Sequence, residues 1–162
     1  MKCVFRREKI MREILFRAKS SQSWCYGYVH KDYESSMFNK WRLTTAYGDV
    51  KVINPDTIGE WTGLIDKNNV MIFEGDIISK EFYTNSKQTK GKIFKGVVEY
   101  KIRCGKGFGI NGEDYKSWAA EWNVQFNFGK DELKYRSYSW GLFFDCEVIG
   151  NIYDNPEILN ND

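Results

Sequence analysis

The sequence contains one histidine, His30, among its 162 residues. Catalysis by two histidines and a histidine-rich metal site are therefore excluded. The count does not exclude a nucleophile–histidine–acid triad built on His30, but no neighbouring residue supports one.

Cysteine is also sparse, and the four residues are widely separated: Cys3, Cys25, Cys104 and Cys146. There is no CxxC pair and no grouping with the histidine, so the close ligand spacing of a zinc site is missing. We interpret these cysteines as free, partly buried thiols. The sequence predicts neither a metal ion nor another cofactor.

Long apolar runs are missing as well. No segment approaches the roughly 18 apolar residues that a membrane-spanning helix requires. The first ten residues, MKCVFRREKI, are basic but lack the apolar core of a signal peptide. There is no internal repeat, heptad pattern or low-complexity segment. We therefore expect a cytoplasmic protein without a membrane partner.

Aromatic residues, by contrast, are abundant and make up 17% of the chain. Aromatic side chains suit half-buried pleated surfaces, so they favour strands. Segments of strand length bounded by turn residues occur at 12–19, 24–33, 50–53, 77–83, 93–104, 123–128 and within 141–155. We predict a mainly β, antiparallel domain with one or two short helices. An α+β fold is the alternative.

Glu113–Trp122 is the best helix segment, because Tyr115, Trp118, Ala119 and Trp122 share one helical face. Lys130–Ser139 is predicted to form one further helical turn, and Ser35–Gly48 a loop. Gly105–Gly112 matches neither GxGxxG nor the P-loop pattern, so we interpret it as a glycine-rich turn without phosphate binding.

Glu74, Gly75 and Asp76 pose the question of whether two carboxylates here form a catalytic pair. In an extended chain, residues two apart share one face, so an acid–base pair is geometrically possible. However, Gly75 favours a turn, in which acidic side chains cap backbone amides. With no histidine, metal-ligand cluster or nucleophile motif nearby, we predict a structural turn capped by these residues and no catalytic residue.

Charge is distributed unevenly along the chain. Residues 80–106 contain eight basic and two acidic residues, a net of +6, although the whole chain has a net charge of +2. The cations predicted to contact a nucleic-acid backbone are Lys87, Lys90, Lys92, Lys95, Arg103 and Lys106. Nearby Phe82, Tyr83 and Phe94 are suited to stack on bases. The simpler interpretation is a solvated loop whose charge protects a sheet edge from aggregation.

The last third of the chain is rich in aromatic residues. Most of them should be core residues, while any left exposed would suit protein binding or self-association. The set is Tyr115, Trp118, Trp122, Trp140, Phe143 and Phe144.

Five segments resemble the successive motifs of the YopX family of phage and prophage proteins. In chain order they are MREILFRAK, YGYV, INPDTIGEWTGLIDKNNVMIFEGDII, GVVEY and EVIGNIYDNPEIL. The one departure is Asn69, where the family pattern usually has glycine, and asparagine tolerates the left-handed conformation. The resemblance implies a phage-encoded accessory protein made inside a bacterial host cell. It also implies a fold that is partly barrel-like and in part SH3-like, and it assigns no activity.

The resemblance begins at Met11, so we expect residues 11–162 to form a single YopX-like domain and residues 1–10 to be an N-terminal extension outside the fold. Arg6-Arg7-Glu8 can be encoded by a purine run resembling a bacterial ribosome-binding site, at a workable distance from a start at Met11. A basic arm that adds a strand or touches a partner is the alternative.

Three classes of function follow. The first is a non-enzymatic binding protein that contacts a host or phage protein, or a second copy of itself. The second is a nucleic-acid-binding accessory factor that uses residues 80–106. The third, ranked last, is a hydrolase with Asp and Glu clusters.

Overall fold

The structure is a computed structural model that describes residues 13–21, 23–32, 40–82, 91–108, 114–126, 143 and 145–160. At residues 92, 102–108 and 114–121 it describes the backbone alone. The described residues form ten strands and two short 3-10 turns, and they contain no α-helix. The prediction of a mainly β, antiparallel fold is confirmed. The expected extension, residues 1–10, lies outside the described residues.

The strands are arranged in two antiparallel sheets. The first has the order β4-β3-β2-β1-β5-β6 and the second the order β10-β7-β8-β9. Both orders are open, so the described strands do not close into a barrel. The strands are β1 Phe16–Lys19, β2 Trp24–Lys31, β3 Trp41–Thr44, β4 Val50–Val52, β5 Gly59–Ile65, β6 Met71–Phe73, β7 Asp76–Phe82, β8 Lys92–Phe108, β9 Asp114–Phe126 and β10 Glu147–Asn151. The 3-10 turns are Pro55–Thr57 and Pro156–Leu159.

The six-stranded sheet buries one of its faces on a small core. Alternation along β2 places Cys25 and Gly27 on this face, and it places Tyr26 and Tyr28 on the opposite one. A Cβ on Gly27 would lie 2.0 Å from the carbonyl oxygen of Thr44, so β2 and β3 approach here too closely for a side chain. The buried residues of this core are Ala18, Cys25, Leu43 and Ile53.

The four-stranded sheet carries the larger core. Its central strands are β7 and β8, and its longest ladder joins β8 to the edge strand β9, from Gly96↔Phe126 to Phe108↔Asp114. β7 and β8, which contain the predicted strand segments 77–83 and 93–104 in large part, pair in an antiparallel ladder from Ile77↔Val97 to Phe82↔Lys92. The buried residues are Ile72, Ile78, Phe82, Phe94, Val98, Val124, Phe126 and Cys146.

The helix predicted at Glu113–Trp122 is wrong, because Asp114–Phe126 is strand β9. The apolar residues of this segment fit both the period of a helix and the period of a strand. Apolar residues also occur at every second position from Trp118 to Phe126, the period of a strand. Pairing with β8 along the whole segment decides in favour of that period. The helical turn predicted at Lys130–Ser139 lies outside the described residues.

Two predicted loops also contain strand. Within Ser35–Gly48, residues Trp41–Thr44 form β3 between β2 and β4. The glycine-rich turn predicted from Gly105 begins later, because β8 continues to Phe108. In both cases pairing with a neighbouring strand extends the strand beyond its local apolar pattern.

Backbone hydrogen bonds link the two sheets at the turns of the central segment. The amide of Gly75 donates to the carbonyl of Val98 (3.0 Å), and the amide of Lys67 donates to the carbonyl of Cys146 (3.0 Å). Asn69, in the turn after β5, has a φ of 63°, which confirms that asparagine takes the left-handed position there. In the described part of the chain, no helix has the length and apolar character needed to cross a membrane.

Candidate functional site

The turn at Glu74 and Gly75 is organised around a buried ion pair. Asp76, at the start of β7, is 1% exposed, and its Oδ1 lies 2.5 Å from Nη1 of Arg17 on β1. The other oxygen accepts a hydrogen bond from the amide of Phe73 (2.7 Å). Arg17 also donates through Nη2 to the carbonyl of Glu74 (3.2 Å). Both oxygens of Asp76 therefore face protein groups.

Burial raises the pKa of Asp76, while the Arg17 guanidinium and the Phe73 amide act in the opposite direction. The guanidinium of Arg17 lies between two rings, 4.8 Å from the centroid of Trp24 and 5.1 Å from that of Phe73. This arrangement joins the six-stranded sheet to the first residue of β7. The structural role predicted for Glu74, Gly75 and Asp76 stays a prediction.

A second carboxylate anchors the end of the β1–β2 hairpin. Asp154 accepts hydrogen bonds from Lys19, from Nε1 of Trp24 (2.6 Å) and from Nδ2 of Asn151 (3.0 Å). These three donors lower the pKa of Asp154 to about 2, and the hydrogen bond from Lys19 has the largest effect. The Trp24 ring also packs against Tyr153 at a centroid distance of 5.8 Å. Trp24 is thereby held in place at the border of the outer face of β2.

That outer face exposes several large apolar side chains. Tyr26 and Tyr28 are 49% and 55% exposed, and Val50 and Val52 on β4 are 48% and 47% exposed. The registers Tyr28↔Thr44 and Thr44↔Val50 place Tyr28, Thr44 and Val50 in one row across three strands, and Tyr26 and Val52 lie in the adjacent rows on the same face. We call the surface formed by Tyr26, Tyr28, Thr44, Val50 and Val52 the tyrosine face.

The charged groups beside the tyrosine face are few. His30 and Arg42 form the neighbouring row with Val52. Nε of Arg42 lies 2.9 Å from Oδ2 of Asp32, so its charge is neutralised locally. The tyrosine face therefore combines aromatic and β-branched side chains with little net charge, the composition of a protein-binding surface.

The sequence carries a signal for this surface, although none of the predictions above names it. Tyr26, Tyr28 and His30 occupy alternate positions of WCYGYVH, while Cys25, Gly27 and Val29 lie between them. In a strand with one buried face, this pattern assigns the aromatic residues to the opposite face.

The predicted nucleic-acid contacts are spread along β8 where the structure describes them. From Lys92 to Lys106 the strand extends over about 46 Å at roughly 3.3 Å per residue. Lys95 donates through Nζ to the carbonyl of Ile158 (3.2 Å), in the last 3-10 turn. Lys87 and Lys90 lie outside the described residues, and at Lys92, Arg103 and Lys106 only the backbone is described.

The C-terminal aromatic set is only partly visible. Trp122 and Phe143 are partly buried and pack against the larger core. Trp122 also contacts Tyr100 at a centroid distance of 4.9 Å. The side chains of Tyr115 and Trp118 are not described, and Trp140 and Phe144 lie outside the described residues.

No group of three or more His, Cys, Asp or Glu residues suited to a metal ion occurs in the described ranges. Cys25 and Cys146 are free and buried, as predicted. Burial raises the pKa of the Cys146 thiol to about 11, so this thiol is protonated at neutral pH.

The comparison with protein families gives one match, to "YopX protein", over residues 15–160. The chain belongs to the YopX family. The match covers most of the chain, and the matched residues include β1, the tyrosine face and the Arg17–Asp76 pair. No curated protein matches this YopX-family chain.

Among solved structures, one match is the crystal structure of protein EF1440 from Enterococcus faecalis. The two chains are 23% identical, and the alignment covers 91% of this YopX-family chain and 98% of the other. The TM-score is 0.39.

Proposed function

We propose that this YopX-family chain is a phage or prophage accessory protein that acts in the bacterial cytoplasm as a non-enzymatic binding protein. Its contact surface is the tyrosine face, and its partner is a host or phage protein. The observation that carries the proposal is the row of Tyr28, Thr44 and Val50 across three adjacent strands, in which Tyr28 and Val50 are about half exposed.

Exposed tyrosines on a rigid sheet are suited to hot spots of protein interfaces. They bury large apolar areas at a low cost in side-chain entropy, and the hydroxyl keeps a hydrogen-bonding group at the rim. The sheet beneath them is fixed by the buried core of Ala18, Cys25, Leu43 and Ile53. A partner can therefore bind without ordering the surface first, which lowers the entropic cost of association.

Replacing Tyr28 by alanine is expected to weaken binding of the protein partner by about 30-fold, which corresponds to the loss of about 2 kcal/mol at a hot spot. The partner is first captured from bacterial lysate on the wild-type chain and identified by mass spectrometry. Its affinity for the wild type and for Tyr28→Ala is then measured by calorimetry with purified proteins.

Tyr100→Ala is the matched control, because Tyr100 is also about half exposed, at 48%, but lies on β8 in the other sheet. This control is expected to bind the partner within about twofold of the wild type, as surface residues outside a hot spot do. Equal losses in Tyr28→Ala and Tyr100→Ala, or no loss in either, would contradict the assignment of the tyrosine face.

The alternative, nucleic-acid binding through residues 80–106, makes a different prediction. If it is correct, the wild type is retained on heparin or DNA at about 50 mM salt, where phosphate contacts are strongest. Changing Lys87, Lys90, Lys92 and Lys95 to Glu then abolishes the retention. Under the protein-binding proposal, the wild type elutes without retention, and Tyr28→Ala behaves identically.

A further inference from the structure

The outer edge of β4 carries main-chain groups that extend the tyrosine face. The amide of Ile53 donates to the carbonyl of Trp41, and the amide of Thr45 donates to the carbonyl of Asp49. In an antiparallel ladder, hydrogen-bonded pairs alternate with pairs that are not bonded. Lys51 is therefore bonded to Leu43, whereas the N–H and C=O groups of Val50 and Val52 point away from β3.

These outward groups form an open edge of the sheet. β4 ends the strand order, and within the described ranges no strand pairs with its outer side. All three residues of β4 are exposed. Two residues with outward N–H and C=O groups offer up to four main-chain hydrogen bonds to an added strand.

We propose that β4 binds an extended segment of the protein partner by strand addition, and that this segment has the pattern apolar–acidic–apolar. This inference rests on the proposed function and names the mode of binding. Residues opposite Val50 and Val52 would lie on the same side of the sheet as the tyrosine face, and an apolar residue opposite Val50 would continue the row of Tyr28, Thr44 and Val50. The residue between them would lie on the other face of the sheet, next to Lys51.

The acidic position follows from the charge of Lys51. Lys51 is exposed, and in the described part of the chain no carboxylate forms an ion pair with it. Opposite charges on directly paired residues stabilise adjacent strands, and like charges destabilise them. A second copy of this chain that pairs Val50 with Val52 would place Lys51 against Lys51, so self-pairing is disfavoured.

The probe is a synthetic peptide, acetylated and amidated, with the central sequence Thr-Val-Glu-Val-Thr, which is titrated into isotopically labelled protein. The amides of Val50 and Val52 are expected to shift and to gain protection from hydrogen exchange. The amide of Lys51, already bonded to Leu43, should keep its protection. A peptide with Val-Lys-Val at its centre should bind about fivefold more weakly, from the change in one cross-strand charge pair.

Two variants test the edge separately from the tyrosine face. Val52→Pro removes one outward N–H without touching the inner ladder, a position where proline is tolerated in edge strands. It should abolish the peptide-induced protection at Val50, and Val52→Thr should retain it. If Val52→Pro does not fold, Lys51→Glu serves instead, because it should reverse the preference so that the Val-Lys-Val peptide binds more tightly.

Strand addition is overturned if neither peptide shifts the Val50 and Val52 amides, or if Lys51→Glu leaves the preference between peptides unchanged. Protection that grows with protein concentration in the absence of peptide would also overturn it, in favour of self-association. If the captured partner loses affinity with Tyr28→Ala but binds Val52→Pro normally, the proposed function stands and only strand addition fails. If the captured partner instead loses affinity with Val52→Pro but binds Tyr28→Ala normally, strand addition stands and the assignment of the tyrosine face as the contact surface fails.

Discussion

Replacing Asp76 by alanine is expected to lower the free energy of unfolding by about 3–5 kcal/mol, because it leaves the buried guanidinium of Arg17 without its counter-ion. Arg17 is 7% exposed, so water cannot replace the lost carboxylate. The variant also removes the acceptor of the Phe73 amide. The measurement is chemical denaturation followed by tryptophan fluorescence.

Asp49→Ala is the matched control, since Asp49 is an exposed aspartate in the turn before β4. Its effect should stay within about 0.5 kcal/mol, as for surface substitutions generally. The coupling between the two charges is measured with Arg17→Met, Asp76→Leu and the double variant. The double variant should be more stable than the sum of the single losses predicts, because no charge is left unpaired. A loss below about 1 kcal/mol in Asp76→Ala, or an absence of coupling, would contradict a structural role.

The Arg17–Asp76 pair marks a limit of reasoning from the sequence. The motif Glu74-Gly75-Asp76 predicted a capped turn, and a lost cap costs about 0.5–2 kcal/mol. The larger loss expected here comes from Arg17, which is far away along the chain on β1. Nothing in the local pattern of FRAK singles out Arg17 as buried, because its burial depends on the rings of Trp24 and Phe73.

Local sequence patterns predicted the strands correctly where the apolar residues fitted the period of a strand and not that of a helix. The β1–β2 hairpin and the β7–β8 hairpin follow from apolar segments separated by polar ones. Glu113–Trp122 was misassigned because its aromatic residues fit a helical face and an alternating strand equally well. The ladder between β8 and β9 supplies the hydrogen bonds that distinguish the two, and sequence periodicity does not contain that information.

Contacts between the two sheets are likewise not contained in local patterns, since a short polar side chain from one segment forms hydrogen bonds with backbone amides of another. Asp66, in the turn after β5, is 4% exposed. Its Oδ1 accepts hydrogen bonds from the amides of Asn68 (2.7 Å) and Val70 (2.8 Å). Its Oδ2 accepts from the amide of Val148 on β10 (2.9 Å). One carboxylate thus shapes the turn and connects it to the four-stranded sheet.

Replacing Asp66 by alanine is expected to lower the free energy of unfolding by about 3 kcal/mol, since three amides lose a charged acceptor. Asp66→Asn should lose about half as much, because whichever way its amide group is turned, an NH2 group faces a backbone N–H. Glu147→Gln is the control. Glu147 forms an exposed ion pair with Lys67 at 2.6 Å, and such pairs contribute at most about 1 kcal/mol.

The cost of Asp66→Ala should depend on pH. Burial by itself raises the pKa of Asp66, but hydrogen bonds from the amides of Val148, Val70 and Asn68 outweigh it and hold the pKa below its ordinary value of 3.8. Between the folded pKa and 3.8 the unfolded state binds more protons, so stability falls as the pH falls through this range. The stabilisation is fully present above about pH 4 and absent below the folded pKa.

The difference in unfolding free energy between wild type and Asp66→Ala should therefore be largest near about pH 6 and shrink toward about pH 2. Comparing the two proteins at each pH cancels the titration of other carboxylates, such as Asp154. Urea denaturation is the suitable measurement, because it leaves the ionic strength constant. A difference that stays the same from about pH 6 to about pH 2 would show that the charge of Asp66 does not hold the turn to β10.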